Sequence, residues 1–148
     1  MSTDDALHKS VTVRPGPDAA FRAFTAGIGE WWPLATHSVD GDRSAGVTLE
    51  PGIGGRLVET LADGSLAVWG TVTAWDPPRR VAFTWHPGTP EEEATLVEVT
   101  FRPNGTGAGT EVELVHSGWG RRHDGDRART AYEGGWGIVL GRFAAAAG

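Results

Sequence analysis

Hydrophobic and polar positions divide the chain into three regions of different period. Near the start, Lys9–Val13 alternates with Val11 and Val13 on one face, which predicts a strand. Pro15-Gly16-Pro17 breaks it, and Pro17 suits the first turn of a helix in which Phe21, Phe24 and Ile28 recur at helical spacing. Gly27 and Gly29 interrupt that pattern, and Glu30-Trp31-Trp32-Pro33 predicts a second short helix ended by the proline. A period of two then takes over, with strands predicted at Val47–Leu49, Arg56–Leu61, Leu66–Trp75, Val81–Trp85, Thr95–Arg102 and Thr110–His116. Turn residues separate them: Gly52 to Gly55, Asp63-Gly64, Asp76-Pro77-Pro78, Pro87 to Pro90, and Asn104-Gly105. Such short connections favour antiparallel pairing. The last region is helical, with Ala128, Tyr132, Trp136, Val139, Leu140 and Phe143 on one face and Asp124 or Asp126 as a candidate cap. Strand, one or two helices, six strands and a long helix suit an α+β domain whose curved antiparallel sheet grips the C-terminal helix.

Alternation assigns faces in three strands. Val81, Phe83 and Trp85 oppose Ala82, Thr84 and His86; Val97, Val99 and Phe101 oppose Leu96, Glu98, Thr100 and Arg102; Val112, Leu114 and His116 oppose Glu111, Glu113 and Val115. The more apolar set of each should face the helix, which puts His116 inward and His86 outward. Two middle strands stay open. Leu57 and Leu61 would carry Glu59 inward, whereas Val58 would carry Arg56; Val68, Gly70 and Val72 compete with Trp69, Thr71 and Thr73. An inward Glu59 would need a hydrogen-bond donor or a raised pKa, and a tryptophan N–H or His116 could supply the donor.

Composition narrows the function classes. The 148 residues suit one domain spanning 1–148, with residues 1–7 expected to be flexible. No apolar run is long enough for a membrane span, and Met1 to Ala6 lacks the character of a signal peptide, so a cytoplasmic location is expected. Without cysteine there is no disulfide, thiolate metal site or cysteine nucleophile. A formal charge of −6 and the absence of a strong basic run argue against nucleic-acid binding. Seven tryptophans beside a single tyrosine and a single methionine are more informative. Indole joins a large apolar area to one donor and suits partly polar cavities as well as cores.

Four segments in order, "GGRLVETLADG" (54–64), "WGTVTAWDPPRRVAFTW" (69–85), "LVHSGW" (114–119) and "YEGGW" (132–136), resemble bacterial proteins similar to the activator of heat-shock-protein-90 ATPase. These belong to the START-like, polyketide-cyclase-type superfamily. The resemblance covers nearly the whole chain. It implies a helix-grip (START/Bet v 1-like) fold: a seven-stranded antiparallel sheet around a long C-terminal helix, enclosing a deep, mostly apolar cavity. It also implies binding or transfer of hydrophobic small molecules, or their conversion as in aromatase and cyclase relatives. The activator proteins carry an additional N-terminal domain that a chain this short does not supply, which leaves co-chaperone-like protein binding as a third reading. Fold alone does not choose among these.

The candidate ligand-binding residues are Trp31, Trp32, Glu59, Trp69, Phe83, Trp85, Phe101, His116, Trp119, Tyr132 and Trp136. Phe83, Phe101 and Phe143 equally suit a filled core. His116 and Glu59 are the candidate acid–base pair, with His37 an outside candidate, although His116 at a strand end also suits a neutral, structural role. Ser117 lacks a nucleophile elbow. The five histidines, at 8, 37, 86, 116 and 123, have no metal-ligand spacing, so no metal site and no cofactor is expected. Gly134, Gly137 and Gly141 make a smooth outer helix face that would permit a homodimer, though weak helix packing explains them as well. The expected partner is a hydrophobic small molecule, without nucleic acid or membrane.

Overall fold

The computed structural model describes residues 6–105 and 109–147. Seven strands form one antiparallel sheet in the order β1-β7-β6-β5-β4-β3-β2, comprising β1 (Leu7–Val13), β2 (Gly46–Leu49), β3 (Arg56–Thr60), β4 (Leu66–Asp76), β5 (Arg80–Trp85), β6 (Thr95–Pro103) and β7 (Thr110–Ser117). Helices α1 (Pro17–Phe24) and α2 (Ile28–Trp31) carry the chain from one edge strand, β1, to the other, β2, and α3 (Gly125–Ala147) closes the order. This is the helix-grip arrangement. Of the segment 1–7 expected to be flexible, Leu7 instead begins β1, buried and paired with His116, because β7 offers it a complete register. Residues 1–5 of that segment lie outside the described residues.

Local chemistry accounts for the elements. Gly16 caps α1 in extended backbone, Pro17 opens it, and Ala20, Phe21 and Phe24 form its buried stripe. The α3 stripe of Ala128, Trp136, Val139, Leu140 and Phe143 is buried as its spacing predicts, with Tyr132 half-buried. At the α3 start, the Asp124 carboxylate meets the Arg122 guanidinium at 2.7 and 3.1 Å. In β6 and β7, Val97, Val99, Phe101, Val112, Leu114 and His116 are all buried, and their alternation partners are exposed or half-exposed. The outer face carries cross-strand ion pairs, Arg80 with Glu98 and Arg102 with Glu111.

Strand β4 follows neither competing phase, because it changes phase twice. Leu57 pairs with Gly70 but Val58 pairs with Val68, so Trp69 is an extra residue at a bulge. Val72 pairs with Phe83 and Ala74 with Ala82, which makes Thr73 a second one. Trp69 and Val72 therefore both face inward. Gly70 sits at the bend, where a Cβ would stand 1.7 Å from the Thr84 carbonyl oxygen, so no other residue fits. On β3 the Leu57 phase holds: Glu59 is fully buried.

The core divides in two along α3. At one end Phe21, Phe24, Trp31, Phe101 and Phe143 interlock, with ring centroids 5.1 to 5.8 Å apart. At the other end Trp32, Trp69, Trp85, Tyr132 and Trp136 gather around an opening.

Candidate functional site

That opening is a cavity of about 390 Å³, a size typical of small-molecule sites. Sheet residues Trp69 and Trp85 form one wall, and Tyr132, Gly135, Trp136 and Val139 of α3 form the opposite one. Trp32 with Thr36, His37, Ser38 and Val39 of the loop after α2, and Pro87-Gly88 after β5, complete the lining. Among the described residues, no Asp, Glu, Lys or Arg lines it.

The four indoles of this lining spend their N–H groups inside the protein. Trp32 donates to the His37 carbonyl (2.7 Å), Trp69 to Glu59 Oε1 (3.1 Å), Trp85 to the Tyr132 hydroxyl (3.0 Å) and Trp136 to His116 Nδ1 (2.9 Å). Each ring is thus held in one orientation and offers the cavity its apolar faces.

His116 sits behind these walls, fully buried, and does not line the cavity. Its Nδ1 accepts from Trp136, which leaves the proton on Nε2; Nε2 donates to Thr95 Oγ1 at 2.6 Å, and Thr95 Oγ1 donates to the Trp85 carbonyl at 3.2 Å. Burial first, and the nearby Arg122 charge second, push the His116 pKa down to about 3, so the ring is neutral. Trp119 lies against it with centroids 4.0 Å apart and donates to the His116 carbonyl. The chain Trp136–His116–Thr95–Trp85 ties α3 to β7, β6 and β5 and sets two cavity walls. Both ring nitrogens are occupied, so His116 has no lone pair to offer a substrate.

Glu59 is equally committed. Oε1 accepts from the Val39 amide (2.8 Å) and the Trp69 indole, and Oε2 accepts from the Asp40 amide (3.0 Å). The donor foreseen from tryptophan is present, and two backbone amides join it. Asp40 Oδ2 in turn accepts from Ala62 N at 2.8 Å. Glu59 thereby pins the segment 36–39 over the cavity, and stands 20 residues from Val39 in sequence.

Of the candidate ligand-binding residues, Trp32, Trp69, Trp85, Tyr132 and Trp136 line the cavity. Trp31, Phe83, Phe101, Trp119, Glu59 and His116 do not, and each for a packing reason. Trp31 turns toward Phe24 and Phe143, Phe101 packs on Phe21 and Phe24, Phe83 lies under Trp85, and Trp119 covers His116 rather than the entrance. His86, expected outward, is only 8% exposed, tucked under its own turn with Nδ1 3.3 Å from the Thr89 carbonyl. Thr36, Ser38, Val39, Pro87, Gly88, Gly135 and Val139 were not foreseen. Most lie on loops, where no period marks the inward side, although Gly135 within "YEGGW" was at hand. Glu93, His123 and Asp124 stand together near the surface. Glu93 accepts from His123 N and Nδ1, and Arg122 holds Asp124, so ion pairing accounts for the trio.

The family model for activator of Hsp90 ATPase homolog 1-like protein matches residues 16–148. The chain belongs to this family. Among solved structures, it resembles the anthrahydroquino-γ-pyrone synthase Txn09 at 34% identity, over 94% of each chain, with a TM-score of 0.62. Protein MLL2253 from Mesorhizobium loti shares the fold at 20% identity over 93% of each chain (TM-score 0.68). So does the Aha1 dimer from Colwellia psychrerythraea, at 16% identity over 94% of this chain and 92% of that one (TM-score 0.64). Among curated proteins, none matches. No helix among the described residues is long and apolar enough to cross a membrane.

Proposed function

We propose that this family member binds a small, planar aromatic molecule in the cavity between sheet and α3. The observation that carries this reading is the lining itself: four indoles and a phenol, fixed by internal hydrogen bonds, around about 390 Å³ with no charged side chain. Such walls favour a flat apolar body stacked or edge-on against the rings. The likeness to a synthase of a polycyclic aromatic product supports the same ligand class. Conversion of the ligand through His116 with Glu59 gains no support from the geometry, since neither lines the cavity and both are engaged by hydrogen bonds within the protein. Protein docking is less favoured as well. The exposed large apolar residues Val39, Ile53, Leu66, Leu96 and Ile138 are scattered over a loop, a turn, two strands and a helix.

Titration with 9,10-anthraquinone and related neutral tricyclic compounds, followed by tryptophan fluorescence, tests the reading. Saturable quenching in the micromolar range is expected. Gly135→Leu, which projects a side chain into the lumen from a helix position where leucine is at least as well tolerated as glycine, should weaken it about tenfold or more. Absence of saturable quenching, or equal quenching in the folded Gly135→Leu variant, would refute cavity binding.

A further inference from the structure

The cavity is not uniformly apolar, and its polar functions converge. Four polar side chains line it besides the tryptophans: Thr36, His37, Ser38 and Tyr132. Ser38 Oγ is bonded to the Leu34 carbonyl at 2.6 Å and faces the Gly41 carbonyl at 3.3 Å, so its proton is spent. Thr36 Oγ1 is 2.6 Å from His37 Nδ1, with the Pro33 carbonyl at 3.5 Å for its own proton. Assigning the Thr36 proton to the Pro33 carbonyl makes Nδ1 the donor to Thr36 and leaves a lone pair on His37 Nε2. The Tyr132 hydroxyl accepts from Trp85, and its own proton has no acceptor among the described residues. One unspent acceptor and one unspent donor remain.

Both groups line the same cavity. The His37 ring lies over Gly135, where a Cβ would stand 3.9 Å from Nε2 and from Cδ2. Gly135 follows Tyr132 by three residues on α3, the spacing that brings side chains onto one face about 5–6 Å apart. A glycine at 135 leaves the imidazole room to approach the helix face that carries Tyr132 one turn earlier.

We propose that Tyr132 Oη and His37 Nε2 form a donor–acceptor pair that recognises a hydroxyl group on the aromatic ligand. This rests on the cavity being the binding site and specifies which ligands it prefers. A phenolic O–H donates to His37 Nε2 while its oxygen accepts the Tyr132 proton, so one ligand atom satisfies both groups. An unsubstituted hydrocarbon of the same shape strips water from both and returns nothing, a penalty that sites built around a substrate hydroxyl use to reject the analogue lacking it. The absence of a charged lining residue favours the neutral phenol over a carboxylated ligand.

Isothermal titration calorimetry with 2-naphthol and naphthalene distinguishes the possibilities. The wild-type protein should bind 2-naphthol at least about tenfold more tightly than naphthalene. Tyr132→Phe and His37→Phe should each weaken 2-naphthol about tenfold, leave naphthalene nearly unchanged and so remove the preference. Tyr132→Phe also deprives the Trp85 N–H of its acceptor, and if that variant is misfolded by circular dichroism, His37→Phe on the loop decides alone. Equal affinity for the two probes in the wild type, or a preference that survives His37→Phe, overturns the pair while leaving the cavity reading intact. Failure of both probes to bind overturns the cavity reading itself.

Discussion

Glu59→Ala should destabilise the protein by about 3 kcal/mol and open one side of the cavity. The carboxylate satisfies three N–H donors, from Val39, Asp40 and Trp69, and each donor left without a partner away from water costs about 1–3 kcal/mol. Part of that cost is relieved because the loop amides can reach solvent once released, whereas the Trp69 indole is fully buried and cannot. Glu59→Gln is the informative companion. Its amide oxygen can replace Oε1, but its NH₂ then faces the Asp40 N–H, so a loss of about 1–2 kcal/mol is expected. Urea denaturation gives both values, and hydrogen exchange at residues 36–40 reports the loop. In Glu59→Gln, which keeps an acceptor for the Trp69 indole, loss of ligand affinity should follow the loop amides' exchange rather than global stability. A Glu59→Ala protein as stable as wild type would show that the clamp contributes nothing.

His116→Ala should cost about 3 kcal/mol at neutral pH. The substitution leaves the Trp136 N–H without its acceptor, leaves Thr95 with one bond fewer and removes the ring against which Trp119 lies. Its pH dependence separates the neutral buried ring from an ordinary packing loss. The folded pKa is lowered to about 3, below the value of about 6.5 for an unfolded histidine. Between those values the unfolded chain binds a proton that the folded protein refuses. His116 therefore contributes its full stability above about pH 6.5 and loses it as pH falls toward 3, at roughly 1.4 kcal/mol per pH unit. Other titrating groups affect wild type and variant alike. The stability gap between the two should thus shrink from neutral pH and nearly close by about pH 4 to 5. A gap that stays constant down to pH 4 would mean that His116 protonates in place.

The difference between what was legible in the sequence and what was not follows from which physical signals are periodic. Strands β6 and β7 kept strict alternation, so Val99 and His116 could be oriented residue by residue, whereas around β5 Ala82 and His86, assigned to the outer face, are buried as well. In β4, two extra residues each reverse the face, and a period-two reading fails across them. Gly70 within the strand was the available signal, because an interior glycine marks a bulge or a close backbone approach. The aromatic content told that rings would gather, but not which rings would face the lumen. Trp31 and Trp32 are adjacent in sequence and their rings stay 5.8 Å apart, yet one joins the Phe24–Phe143 cluster and the other the cavity lining. The chain turns at Trp32, which leaves helical geometry as the cap of α2, and Pro33 follows. Contacts of the 36–39 segment depend on a carboxylate 20 residues away, and no local pattern encodes that.

Trp32, Trp69, Trp85 and Trp136 stand with ring centroids 5.1 to 5.9 Å apart in an unbroken circuit. At that spacing their electronic transitions couple, and excitation absorbed by one indole migrates among all four within its lifetime. The near-ultraviolet circular dichroism of the protein should therefore carry a contribution set by the mutual tilt of these rings. A molecule that touches a single wall dims the whole circuit, and one that reorients a wall changes that contribution. The side chains that shape the cavity would thus report, through their own spectrum, on the aromatic ligand proposed for it.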